Sequence, residues 1–235
     1  MKTTHVYFSP NSETERIARH FADALGGKVY DITGFVQRKR FRAFDCECLV
    51  LSFPVYSADI PEPLKPLLGR FQAKNVVLNV TFGGMTHGDI LHKVERCMNN
   101  LSAFSLTPVK HAYLPDGPDI DFSHYEGLIE RVRTGKLSPT SMPRFKEPFF
   151  YALFRRTRSR FNYRLTLDRD LCTECRLCIL ECPVGAISET FDISKACLRC
   201  SRCVKWCPEA AIRAKTSFLL RRYLRKEPIT EVRTG

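Results

Sequence analysis

Residues 5–114 alternate short, almost wholly apolar runs with stretches in which apolar side chains recur every three to four positions. The runs at residues 5–8, 28–32, 48–53, 75–81 and 107–114 read as β-strands. Between the first two, Ile17, Ala18, Phe21, Ala24 and Leu25 share one helical face over residues 12–25, and Gly26 and Gly27 end that helix. Residues 61–71, opened by Pro61, and residues 88–100 read as two more helices. Strands apolar at nearly every position are buried on both faces, the condition of a parallel sheet flanked by helices. The pattern predicts an open, doubly wound α/β domain of five strands over residues 1–121.

The pattern changes at residue 122. Arg131, Arg133, Lys136, Arg144, Lys146, Arg155, Arg156, Arg158, Arg160 and Arg164 accumulate against Glu126, Glu130 and Glu147, and Pro139, Pro143 and Pro148 interrupt the stretch. Residues 122–165 are therefore expected to form a basic connector, with a helix at 149–161. Residues 166–215 form a second, cysteine-rich domain, and 216–235 a basic tail with an amphipathic helix at 218–226.

The chain has 235 residues, 44% hydrophobic and 26% charged, enough for a sizeable core. No apolar run approaches the ~18 residues of a membrane span, and the N-terminus enters a strand with no secretory apolar region. The expectation is a soluble, cytoplasmic protein without stable membrane insertion. Eleven cysteines are many for that compartment, where disulfides rarely persist, so metal or redox chemistry becomes the default.

Eight of the cysteines form Cys172-x2-Cys175-x2-Cys178-x3-Cys182-Pro183 and Cys197-x2-Cys200-x2-Cys203-x3-Cys207-Pro208. Each cysteine of the first run recurs 25 positions later, as do the proline and the Ala186-Ile187 pair, at Ala211-Ile212. Paired Cys-x2-Cys also suits structural zinc, but zinc gives no reason for a third cysteine at the same spacing, nor for the proline. The two runs resemble two-cluster bacterial ferredoxins across the whole second domain. That resemblance implies two [4Fe–4S] clusters, the fourth cysteine of each run crossing to the other cluster. One cluster would take Cys172, Cys175, Cys178 and Cys207, and the other Cys182, Cys197, Cys200 and Cys203. Trp206 and Phe191 are expected as apolar cover.

In the first domain, three loops leave the carboxyl ends of strands, where open α/β sheets bind ligands. Ser9, Pro10, Asn11, Ser12, Glu13 and Thr14 lead into a helix, and such a run offers hydroxyls, N–H groups and a positive dipole end to a phosphate. A capping box of Ser12 and Glu15 accounts for the same residues. The second loop carries Pro54, Val55, Tyr56 and Ser57, and the third Thr81, Phe82, Gly83 and Gly84. Together they resemble flavodoxin-like FMN domains over residues 1–115, which implies strand order 2-1-3-4-5, phosphate on the first loop, and Tyr56 and Phe82 flanking the flavin ring. Asn11 and Ser12 stand where that family usually has a hydroxyl residue and a glycine. The whole chain resembles flavodoxin–ferredoxin fusion proteins.

The formal charge of +12 would suggest nucleic acid. Two clusters and a phosphate bring it near about +6, so the basic excess becomes counter-charge to cofactors and no nucleic-acid partner is expected. The expected function is electron transfer between FMN and the clusters, and on to redox protein partners. No catalytic residue is singled out. An alternative is a flavin-dependent reductase of a quinone-like or other oxidised metabolite, with His87, Asp89 or Tyr56 as proton donor. A redox-sensing module with an empty α/β domain is a third possibility. Cys46, Cys48 and Cys97 are expected as buried thiols, and His5 and His111 as strand residues.

Overall fold

The computed structural model describes residues 1–42, 44–83, 86–110, 119–146, 162–224 and 232–235. The first part is a parallel sheet built by β1 (Thr3–Tyr7), β2 (Lys28–Asp31), β3 (Asp45–Pro54), β4 (Gln72–Phe82) and β5 (Leu101–Pro108) in the order β2-β1-β3-β4-β5. The five-strand expectation needs one correction, because β8 (Arg233–Thr234) adds an antiparallel sixth strand beside β5. Its backbone, with Gly235 bonded to Phe104 in both directions, covers an edge that would otherwise expose a row of donors and acceptors.

The fifth strand also starts earlier than its apolar pattern suggested. It spans Leu101–Pro108, sharing only residues 107–108 with the expected strand, whose last four residues lie outside the described ones. Ser102, Ser105 and Thr107 disguise it. All three are buried and bonded to Asn75, Asn79 and Tyr125 respectively, so hydroxyls sit where an apolar side chain was expected.

Helix α1 (Glu13–Leu25) packs Ile17 and Phe21 on one sheet face. Its end needs Gly27, which sits at φ +101° where an added Cβ would lie 2.3 Å from the Thr3 carbonyl oxygen. The other face is covered by α3 (Lys65–Leu68) and α4 (Ile90–Glu95), both shorter than expected, with a further crossover helix α2 (Phe35–Arg40). A short 3-10 turn (Phe122–Tyr125) and α5 (Glu126–Arg133) begin the stretch read as connector. Its buried stripe of Tyr125, Leu128, Ile129 and Val132 packs beside Ile17 and Phe21. The arginines of α5 point outward and concealed that stripe. Met142 reaches the opposite core. The expected helix at 149–161 lies outside the described residues.

The second module pairs β6 (Tyr163–Leu167) antiparallel with β7 (Ile212–Thr216) and carries two one-turn helices, α6 (Leu177–Leu180) and α7 (Arg202–Lys205). The tail helix α8 spans Phe218–Leu224. Among the described residues no helix is long and apolar enough to cross a membrane.

Candidate functional site

The duplication in sequence is a duplication in backbone. Glu174, Arg176 and Gly185 take positive φ in the first cysteine run, and Arg199, Ser201 and Ala210, each 25 positions on, take it in the second. Five of these six are not glycine, so each half holds the same costly turns, of a kind that cluster at functional sites. Arg176 and Ser201 precede α6 and α7, the helices that carry Cys178 and Cys203.

A cavity of about 210 Å³ is framed by Cys172, Cys175, Cys178 and Cys207, with Phe191 and Ile179 in its wall. Three of those thiols come from one run and the fourth from the other. Around the second set, burial pushes the thiols of Cys200 and Cys203 up to about 12, and the neighbouring charges of Cys197 and Cys182 push the same way. Cys182 therefore lies among the cysteines of the second run. Its sulfur accepts a hydrogen bond from the Ala186 N–H at 3.2 Å, a bond of the kind that tunes cluster potentials. None of the eight is in a disulfide. Trp206 does not cover this region. It is 42% exposed and lies under the Arg202 guanidinium, 4.2 Å from its ring centre.

At the carboxyl end of the sheet, Ser9 rather than Ser12 caps α1, its Oγ accepting from the Glu15 N–H at 2.9 Å. Ser12 makes no side-chain cap and adopts φ 72°, the left-handed conformation that suits the glycine usual in flavodoxin-like loops. Ser9 and Thr14 are buried, and the Ser9 N–H donates to the Thr33 hydroxyl. Thr14 and Thr81 join hydroxyls at 2.7 Å and so tie the first loop to the third. Asn11 Oδ1 is buried without a partner. The N–H groups of Glu13 and Thr14 open α1 and have no intrahelical acceptor.

In the second loop, Tyr56 and Asp59 exchange backbone bonds across Ser57 and Ala58, both left-handed at φ 54° and 57°, and Lys93 Nζ donates to the Ala58 carbonyl at 2.6 Å. Val55 N–H donates to the Thr81 carbonyl oxygen, which sets the second and third loops side by side. Pro54, Val55 and Tyr56 are half-buried and Ser57 exposed. Phe82 is 2% exposed, packed edge-on to His87, so it belongs to the core rather than to an open wall. Gly83 is half-buried, and Gly84 lies outside the described residues. His87 Nδ1 lies 2.7 Å from the Gly88 carbonyl oxygen, and the Asp89 carboxylate accepts from the Phe145 N–H at 2.9 Å.

The two parts meet along a seam that the sequence did not reveal. Arg202 Nη1 donates to the Pro10 carbonyl and Lys205 Nζ to the Asn11 carbonyl, each at 3.0 Å. Arg38 holds the Ile32 and Thr33 carbonyls and reaches across to that of Pro183, next to Cys182. Arg202 is paired with Glu181 at 2.6 Å. These partners are 145 to 194 positions apart, and no local pattern announces them.

Residues 165–188 match the family model of the 4Fe-4S binding domain (Fer4). Comparison with curated proteins finds no match to the chain. The matched segment, which holds the complete first cysteine run, is a ferredoxin-type [4Fe–4S]-binding unit, and the chemistry of such a unit is iron–sulfur electron transfer.

Proposed function

We propose that the chain is an electron-transfer flavo-iron–sulfur protein, with FMN on the loops at residues 9–14, 54–57 and 81–84 and two [4Fe–4S] clusters in the second module. In this reading Cys172, Cys175, Cys178 and Cys207 ligate one cluster, and Cys182, Cys197, Cys200 and Cys203 the other. The observation that carries it is the cavity where Cys207 joins the three cysteines of the first run, the exchange that a paired-cluster ferredoxin requires.

Core size supports the same reading. Among the described residues, the buried apolar side chains of the second module are Tyr163, Ala186, Ile187, Cys200, Cys203, Ala211 and Ile212, too few to hold some fifty residues without an internal staple. Thiols pushed up by burial stay protonated at neutral pH unless a metal takes the proton's place. The residues of the first loop fit a phosphate, with hydroxyls and the N–H groups of Glu13 and Thr14 at a helix start and a left-handed turn at Ser12.

When bound, the clusters pass single electrons and the flavin one or two at a time. The chain's own residues supply position. Arg38, Arg202 and Lys205 hold the second cysteine set against the loop assigned to the flavin phosphate, at the carboxyl end of the sheet. Solvent can supply the proton that flavin reduction takes up, so the reading assigns no dedicated acid–base residue.

Anaerobic purification followed by flavin, iron and acid-labile sulfide determination tests this. About one FMN and about eight each of iron and sulfide per chain are expected. Zinc without sulfide removes the cluster half, and absence of flavin binding leaves a redox-sensing binding module.

A further inference from the structure

Three cations bridge the two modules at one place, and every acceptor they reach across the seam is a backbone carbonyl. Arg202 and Lys205, on the helix that carries Cys203, draw the carbonyls of Pro10 and Asn11 toward α7. The described peptides include no cis bond, and a trans peptide sets its C=O and the following N–H on opposite sides. The Asn11 N–H therefore points away from α7, while the Ser12 N–H donates to the Ser9 carbonyl at 3.5 Å and closes the turn of the loop. Arg38 does the same work on the neighbouring loop, holding Ile32 and Thr33, whose hydroxyl takes the Ser9 N–H. Its other arm ends on Pro183, the residue after Cys182. Arg202 is itself fixed by Glu181 below and Trp206 alongside, its side chain 13% exposed.

The loop at residues 9–14 holds no cation, and the charge of Glu13 is paired with Arg16 in the first turn of α1 at 3.1 Å. A phosphate dianion there depends on N–H direction and on nearby positive charge, and Arg202 and Lys205 of the second module contribute to both by holding the Pro10 and Asn11 carbonyls. We infer that Arg38, Arg202 and Lys205 make the second module part of the anion site, so that dianion binding on residues 9–14 and the folded, cluster-loaded state of the second cysteine set stabilise one another. Linkage makes the effect reciprocal: whatever the module adds to phosphate affinity, phosphate adds to the module's stability. The inference rests on the flavin reading for its natural ligand, a phosphate monoester, but the seam itself does not require a flavin.

The test compares FMN with riboflavin, which lacks only the phosphate. Both are titrated into anaerobic, cluster-loaded wild type, the double variant Arg202→Gln/Lys205→Gln, and Arg38→Gln. In the double variant the preference for FMN over riboflavin falls about tenfold, equivalent to about 1.4 kcal/mol, with riboflavin affinity unchanged. In a chelator challenge followed by visible absorbance, FMN slows iron loss from wild type more than riboflavin does, and the difference disappears in the double variant. An unchanged preference in a variant with full iron content overturns the inference. Should the double variant lose its clusters during purification, Lys205→Gln alone, at an exposed position, carries the same comparison. If wild type binds no flavin, the proposed function fails by itself. Inorganic phosphate then becomes the probe: slower iron loss in its presence supports the seam, and no effect refutes it.

Discussion

The hydroxyl pair Thr14–Thr81 offers a quantitative check on how the first and third loops are held. The two oxygens lie 2.7 Å apart, with Thr14 2% exposed and Thr81 fully buried. Replacing either threonine by valine keeps the shape but strands the other hydroxyl in the core, which costs about 1–3 kcal/mol. Replacing both sets methyl against methyl and is close to neutral. Taking about 2 kcal/mol for each single variant, the double should lose about 1 kcal/mol or less, a coupling of about 3 kcal/mol at the upper end of such values. Cofactor-bearing proteins seldom unfold in two states, so the suitable assay is anaerobic native-state hydrogen exchange of amides in α1 and β4. Each single variant should speed exchange about thirtyfold, and the double should return toward wild type. A double variant whose acceleration is the product of the two singles would refute the pairing.

Other outcomes follow from the same geometry. Ser12→Gly should raise the thermal midpoint, because relief of about 1–2 kcal/mol of left-handed strain outweighs the extra unfolded-state entropy of glycine, for a net gain of about 0.5–1 kcal/mol. Burial raises the Tyr125 phenol from 10 to about 12, so the neutral form is favoured in the fold. Its contribution is complete below pH 10 and is lost as the pH rises to about 12, a fall of roughly 3 kcal/mol; Tyr125→Phe should remove that part of the alkaline slope in thermal midpoints, and an identical slope would contradict the placement. Chelation of the iron should release amides of β6 and β7 to solvent exchange while β3 and β4 stay protected, because only the second module relies on metal for its core. Equal loosening of both would contradict that division.

The central strands were legible because their burial on both faces is written as unbroken apolar runs, as in Leu49–Leu51 and Val76–Leu78. β5 was misplaced because its inward hydroxyls are satisfied by Asn79 and Tyr125, partners set by strand register and by a helix some twenty residues away. β8 has two residues, one of them arginine, and owes its conformation to the edge it covers. The cysteine runs were legible because ligation fixes spacing within a single turn of chain. Ser12 was legible as a problem, and the left-handed backbone resolves it. Phe82 was expected to flank a flavin ring and is 2% exposed here, since strand position alone does not tell how deeply the core packs an aromatic. Cys48 is buried as expected, while Cys97 is exposed. Arg38, Arg202 and Lys205 were invisible because their acceptors are main-chain carbonyls that any residue could provide.

The claim that a flavin and iron–sulfur clusters act as one unit is tested most directly by following both centres in the same anaerobic sample. The flavin is reduced by light with a sacrificial donor too bulky to reach the cysteine sets, and cluster reduction is read by electron paramagnetic resonance at successive times. The account predicts cluster signals that grow as the flavin loses its electrons, at a rate independent of protein concentration. A reduced flavin beside clusters that stay oxidised at matched potentials, or exchange that scales with concentration, would contradict it.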